Sequence, residues 1–493
     1  MSLDQVLLLG SAILLVSMVA ARIGERLRLP ALLLFLGVGV AVGELGLKFP
    51  DVTLAQSLGF VALVLILAEG GLTTRWEEIR AALPVAVLLA TVGVVVSIAA
   101  VAAFAHFVLG LDLGLSILLG AVTSPTDSAA VFSVLRKVPL PHRIRGVLEA
   151  ESGFNDAPIV LLVVVATNLV LGQGGHDNPL VLVGMVAGEL VGGVAVGFVL
   201  GWVGAWVMRR IALPASGLYP LGALGWVGLA YAAGSYAHLS GFAAVYVAAV
   251  VLGNGELPHR NATRSFAEGM GWVAQIGLFV MLGMLADTLR MSWTAAVWGV
   301  VLGAFLTFVA RPLSVAVCAS WFKIPWRSQA FISWAGLRGA VPIIMATVPL
   351  AHNAPDALYL FDMVFVLVVV FTVLQGPTLP AAARLFGVST GADATDVEYE
   401  FAPLDNIKAD MLQVHVADGS KLRGVTVQEV RLPRNSVISL IVRDDEPFTP
   451  APTDVIRAGD DLLVVTSAAD RVRVERRFDA LSKHGRLARW REE

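Results

Sequence analysis

The chain has 493 residues and a formal net charge of −3; 57% of the residues are hydrophobic, 15% are charged and 48 are glycine. That balance excludes an ordinary soluble domain and fits a polytopic helical membrane protein, whose helices tolerate more Gly and Pro. No basic face large enough for nucleic acid is visible, and the single cysteine, Cys318, excludes a disulfide framework or a thiolate metal site.

About thirteen apolar segments approach the ~20 residues that a bilayer core requires. They lie near 4–21, 30–47, 54–72, 82–108, 113–134, 148–171, 180–207, 216–233, 236–253, 267–286, 292–320, 329–350 and 357–378. The opening residues carry no basic n-region or small-residue cleavage site, so 1–22 read as the first span rather than a removable signal. One set of connections holds Arg22, Arg26, Arg28, Arg75, Arg80, Arg136, Lys137, Arg143, Arg145, Arg209, Arg210, Arg260, Arg264, Lys323 and Arg327; the alternate set holds only Lys48 and Arg290. Positive charge marks the cytoplasmic side, which puts the N-terminus outside and the C-terminal tail inside.

Four spans are not purely apolar. The third ends at Glu69; the fifth contains Thr123-Ser124-Pro125-Thr126-Asp127-Ser128; the twelfth contains Gly336-Leu337-Arg338-Gly339-Ala340-Val341-Pro342. Proline removes a backbone hydrogen bond, so the fifth and twelfth are expected to be interrupted helices, which persist at membrane depth only against a cavity or inside protein. A pair of interrupted spans in corresponding halves points to a transporter's central site, with spans four to six and eleven to thirteen as inverted repeats. Asp127 and Arg338 are expected to neutralise the half-helix ends at such a crossing.

The sixth span opens on Glu149-Ala150-Glu151-Ser152-Gly153-Phe154-Asn155-Asp156-Ala157. Ionised groups inside a span are expensive and usually functional. At about 100° per residue, Ser152 and Asp156 share one stripe, and Glu151 and Asn155 the next. The first stripe offers a hydroxyl and a carboxylate, hard oxygen donors suited to an alkali cation or a proton. Glu149 reads more simply as an acid at a wet helix end. Glu189 and His238 read as packing and loop-end residues, Met281 and Met284 as core, and Arg311, before Pro312, as a donor to a carbonyl at a kink.

Residues 389–493 are charged and hold no span. Strand alternation at 411–416, 437–442 and 461–465, with turns at Ala417-Asp418-Gly419-Ser420 and Arg457-Ala458-Gly459-Asp460, predicts a small cytosolic α/β domain. The expectation is thus an all-α polytopic membrane domain over 1–388 with two crossed broken helices, followed by this domain over 389–493.

Asn155-Asp156 after Glu151-Ser152-Gly153-Phe154, with Thr126-Asp127 and Gly336-Leu337-Arg338-Gly339, resembles the cation:proton antiporters over about residues 5–380. The Asn-Asp pair is similar to the electroneutral, sodium/proton exchanger-like branch rather than the Asp-Asp branch. In the tail, Gly424-Val425-Thr426-Val427-Gln428-Glu429-Val430, Leu432-Pro433 and Ile456-Arg457-Ala458-Gly459-Asp460-Asp461-Leu462 resemble the TrkA-C domain of potassium-conductance regulators. Together they look like a bacterial potassium/proton antiporter of the cell membrane. The resemblance implies Asp156 as the ion- and proton-binding carboxylate, Ser152 and Glu69 as further ligands, and Thr126 as a ligand through its carbonyl. It implies a buried Glu151–Arg338 ion pair, with Asn155 hydrogen-bonding across the crossing. The sequence differs from many relatives in reading Pro125-Thr126-Asp127-Ser128 where they read Thr-Asp-Pro.

The expected substrates are then a monovalent cation, potassium or by the same mechanism sodium, and a proton, exchanged one for one, with no cofactor. A homodimer is expected, and a small-molecule regulator of the tail, a cyclic dinucleotide being the ligand class known in the wider group. A regulated cation channel would need a repeated pore loop such as Thr-Val-Gly-Tyr-Gly, which is absent. An intramembrane serine protease of the rhomboid kind would need a glycine two residues before its serine. Ala150-Glu151-Ser152 and His238-Leu239-Ser240 lack it.

Overall fold

In the computed structural model, helix covers each apolar segment of the first unit, Met1–Val388, and a sheet dominates the second, Ser389–Glu493. The structure describes residues 3–485 except 28, 50, 136–139, 174–178, 256, 389–397, 405–408, 417–418, 444–445 and 468–469. Arg28, Arg136 and Lys137 of the charged connections, and the first half of the 417–420 turn, lie outside the described residues.

Helices α1 (Leu3–Leu27), α2 (Ala31–Glu44) and α3 (Val52–Thr73) come first. The Asp51 carboxylate caps α3 by accepting from the Thr53 and Leu54 amides, satisfying donors that a helix start leaves open. A short α4 (Trp76–Ile79) leads into α5 (Leu83–Leu88), a π turn at Leu89–Gly93 and α6 (Val94–Phe107). The halves α7 (Leu113–Thr123) and α8 (Ser128–Leu135) flank a break at Pro125. Then come α9 (His142–Val170), α10 (Pro179–Arg210), α11 (Leu218–Tyr236), α12 (Gly241–Asn254) and α13 (Arg260–Leu285). Helix α14 (Trp293–Phe305), a second π turn at Leu306–Ala310 and α15 (Arg311–Ala319) form one continuous stretch. A second break separates α16 (Trp326–Trp334) from α17 (Ala340–Ala351), and α18 (Ala357–Leu385) closes the unit.

The succession of a span with a π turn, a broken span and an unbroken helix therefore occurs twice, once through α5–α9 and once through α14–α18. The second π turn has a local cause: Pro312 cannot donate to the carbonyl four residues earlier, and the widened turn absorbs the lost bond. Among the described residues, eight helical stretches are long and apolar enough to cross a membrane by themselves; Ala31–Glu44, Leu113–Thr123, Gly241–Asn254 and Ala340–Ala351 are shorter apolar helices.

Helices approach closely where side chains are small. Gly193, Gly197 and Gly201 recur every four residues on α10 and lie directly on the α12 backbone at Ser240, Ala244 and Ala248. Outward faces are apolar: Leu8, Val19, Val191 and Trp202 are exposed, as expected of surfaces solvated by lipid. Trp293 and Trp321 are exposed at the two ends of the α14–α15 span, the position of interfacial anchors.

The second unit holds β1 (Glu398–Leu404), β2 (Ala409–His415), β3 (Ser436–Arg443), β4 (Glu446–Phe448) and β5 (Asp461–Ser467) in one antiparallel sheet of order β1-β2-β5-β3-β4. The alternation seen in the sequence places Leu412, Val414, Leu462 and Val464 on the buried face, where Val474, Phe478 and Leu481 of α20 (Arg471–His484) cover them. A short α19 (Val427–Val430) is fastened by the Thr426 amide, which donates to Glu429. Gly459 adopts φ +82° in the turn before β5, a conformation that favours glycine. Asp460 beside it is fully buried and accepts from Arg443 at 2.8 and 2.7 Å and from the Arg457 amide.

Candidate functional site

The two breaks meet. The Asp127 amide donates to the Leu337 carbonyl at 2.8 Å, and the Arg338 guanidinium donates to the Pro125 carbonyl at 3.0 Å. Each interruption thus supplies a partner for backbone groups that the other has freed from helical bonding, as buried backbone requires. The Asp127 carboxylate also accepts from the Ala130 amide at the start of α8, a negative group at a positive helix end. Thr372 of α18 donates to the Arg338 carbonyl at 2.9 Å. Gly339 is required by packing, because a β-carbon there would run into the Asp127 carboxylate.

Helix α9 lies against this crossing. Glu151, Asn155 and Asp156 are buried, with Ser152 one turn before Asp156 and half-buried. Asn155 donates to the Thr126 hydroxyl at 2.8 Å, which stands 3.5 Å from Glu151. Asp156 Oδ1 and Asn155 Oδ1 are shielded from solvent and, among the described residues, accept no hydrogen bond. Among the described residues, the charge of Asp127 acts on Asp156. Buried acceptors without donors are costly unless a proton or cation serves them.

Glu151 corrects the sequence reading. Its partner is Arg311, which donates from both terminal nitrogens, at 2.5 and 2.8 Å, with side chains 3% and 6% exposed. The expected pair with Arg338 does not form, because Arg338 is committed to the Pro125 carbonyl. Arg311, expected at a kink carbonyl, instead presents its planar fork to a carboxylate, the geometry that guanidinium favours. Gly336 makes room for it: a β-carbon there would sit 2.7 Å from Arg311 Nε. The signal was present in the sequence, since Arg311 is the only charged residue between 293 and 322, and such a residue needs a partner.

Glu69 is the acid expected from the third span. It lies on α3 against Gly271 of α13, and its charged neighbours are Glu268 and Glu149. Glu149 accepts from the Thr74 hydroxyl at 3.2 Å. Sequence reasoning also missed Tyr246, whose ring packs on Gly153 and meets Phe154 edge-on at 5.1 Å. The structure therefore brings together Asp156, Asn155, Glu151, Thr126, Asp127 and Arg338, adds Arg311, and places Glu69 near Glu149 and Glu268.

Residues 12–385 match the family model described as sodium/hydrogen exchanger, transmembrane, and residues 411–479 match the TrkA-C domain. The chain is 33% identical over 482 residues to a K(+)/H(+) antiporter NhaP of Alkalimonas amylolytica, covering 95% of this chain and 82% of that protein. It is 32% identical over 471 residues to K(+)/H(+) antiporter NhaP2 of Shewanella oneidensis, covering 94% and 81%. A Na(+)/H(+) antiporter NhaH of Halobacillus dabanensis is 29% identical over 318 residues, 61% of this chain and 75% of that protein. The fold is similar to the sodium proton antiporter MjNhaP1 of Methanocaldococcus jannaschii, with a TM-score of 0.66 at 23% identity over 76% of this chain and 100% of that one.

Proposed function

The chain belongs to the sodium/hydrogen exchanger family, and we propose that it exchanges potassium for protons, one for one, at Asp156. The observation that carries the site is one Asp156 oxygen, Oδ1, buried beside two crossed helix breaks and, among the described residues, bonded to no donor. The preference for potassium is supported by relatives named K(+)/H(+) antiporters that align with nearly the whole chain.

A carboxylate holds a proton or a cation, and each excludes the other. Exchange then needs only that the protein alternate the access of this one group. Ser152 and the Thr126 carbonyl are the further oxygen ligands, and Glu69, with Glu149 and Glu268, draws cations toward the site. Asn155, Asp127, Glu151, Arg311 and Arg338 hold the crossing so that Asp156 keeps its place. Asn155 is neutral, so the loaded and the protonated site carry equal charge and exchange is electroneutral.

The loop arginines support a cell-membrane topology with the N-terminus outside and the C-terminal domain in the cytoplasm. That domain pairs in a homodimer and regulates transport. A cavity of about 430 Å³ lined by Arg431, Arg473, Arg476 and Arg477, with Leu432 and Pro433, supports an anionic regulator such as a cyclic dinucleotide.

Proton flux in everted vesicles tests the substrate, with potassium and then sodium added over a pH series. A response to potassium that exceeds the response to sodium supports the reading. A response to sodium alone keeps the mechanism and overturns the substrate.

A further inference from the structure

The helix that carries Asp156 is covered by a side chain from outside the two repeats. At about 100° per residue Glu149, Gly153 and Asp156 share one stripe of α9. Tyr246 of α12 lies on Gly153, between the two acids: a β-carbon at Gly153 would run into the ζ-carbon and hydroxyl of the tyrosine ring. Phe154 meets that ring edge-on at 5.1 Å, a favoured aromatic arrangement.

The hydroxyl end is fastened. It is hydrogen-bonded to Thr74, and among the described residues the charges of Glu149 and Asp156 both act on it. Thr74 in turn donates to Glu149 at 3.2 Å. Glu149 is half-buried, whereas Thr74, Tyr246 and Asp156 are buried. Tyr246 therefore stands at the step from the half-buried acid to the buried one.

The ring also borders free space. With Gly153, Phe154 and Val247 it lines an apolar cavity of about 540 Å³ between α9 and the α10–α12 pair, a volume in the range that holds whole ligands. A side chain changes rotamer far faster than helices move, so such a space gives the ring a second position.

We propose that Tyr246 is a gate between Asp156 and the side of the protein on which Glu149 lies, latched to Thr74 when closed and lodged in the apolar cavity when open. The gate rests on this packing. That the side is the cytoplasm, and that potassium and protons are what the gate admits, rests on the topology and function proposed above. Closed, the ring shields Asp156 from water on that side, as a lid shields an active site; it acts by admitting or excluding and is not a ligand.

The test treats everted and right-side-out vesicles holding the full-length protein with a water-soluble carbodiimide at one fixed pH, and reads labelling of carboxyl groups by peptide mass spectrometry. In everted vesicles Tyr246→Phe, which keeps the ring and drops the latch, should raise the rate at Asp156 roughly two- to tenfold, the worth of one hydrogen bond. Tyr246→Ala removes the gate and should raise it further. Val247→Phe fills the cavity that the open ring needs and should lower the rate below that of the wild type. Labelling at Glu268, which is exposed, should stay unchanged in all three. Damage to the fold would raise labelling in every variant, so the opposite signs separate gating from instability. An Asp156 rate unchanged in Tyr246→Ala overturns the gate, and one unchanged in Tyr246→Phe overturns the latch. A Val247→Phe rate at or above the wild type overturns the open position in the cavity. Effects confined to right-side-out vesicles overturn the assigned side. The readout requires no ion transport, so a failure here is distinct from a failure of the exchange reading.

Discussion

Replacing Glu151 with Gln removes the negative member of a pair whose side chains are 3% and 6% exposed. Two guanidinium N–H groups lose a carboxylate acceptor at 2.5 and 2.8 Å. Arg338 is buried in the same crossing and repels the charge left on Arg311. Breaking a buried pair from one side costs about 3–5 kcal/mol, mainly because the surviving charge is uncompensated. The second arginine puts this case in the upper part of that range. Removing both charges, as in Glu151→Leu/Arg311→Met, should recover most of the loss, since apolar replacement of a buried pair is often close to neutral. The assay is thermal unfolding of the purified full-length protein in detergent, run as a double-mutant cycle with Arg311→Met and separately with Arg338→Met. Strong coupling of Glu151 to Arg311, well above its coupling to Arg338, is the expected outcome. A Glu151→Gln protein that melts with the wild type, or stronger coupling to Arg338, would refute the pairing and the electrostatic reasoning built on it.

Other consequences can be measured directly. Gly339→Ala forces a methyl into the Asp127 carboxylate and should cost about 1–3 kcal/mol by overpacking, visible as a lower melting temperature, whereas Gly277→Ala, with open space around it, should not. Asp287 is held below the usual carboxylate range, first by the hydrogen bond from Lys48. A depressed carboxylate stabilises the fold above its unfolded pKa of about 3.9 and loses that contribution as pH falls through its folded value. Lys48→Gln should therefore melt slightly below the wild type at neutral pH, with the difference closing in acid; a gap that widens in acid would contradict the sign. Because one carboxylate exchanges one charge for another, the initial rate in proteoliposomes should not change when a membrane potential is imposed with a lipophilic ion.

Much of this architecture was legible because its causes are local. Apolar runs of bilayer length announce helices, and Pro125 and the Gly336–Pro342 stretch announce breaks, since both act on backbone bonding within a few residues. Strand alternation at 411–416 and 461–465 likewise reflects a one-sided sheet. What was not legible was partnership over long separations. Glu151 lies 160 residues from Arg311, and nothing in spacing ranks Arg311 above Arg338 as its partner. The choice depends on three-dimensional detail: the Pro125 carbonyl claims Arg338, and the absence of a side chain at Gly336 admits Arg311. The π turns were similarly hidden, because only one of them has a proline beside it. Glu69 shows the complementary case, a membrane acid whose neighbours, Glu149 and Glu268, come from helices far apart in sequence.

The most direct test of the central claim is potassium-driven proton movement in proteoliposomes for the wild type and for Asp156→Asn, with the melting temperature of each measured alongside. The change removes the titratable group and leaves the side-chain shape, so the variant is expected to fold and to show no exchange at any pH. Exchange retained by a folded Asp156→Asn protein would contradict the account at its core, because the competition between proton and cation would then take place on another group.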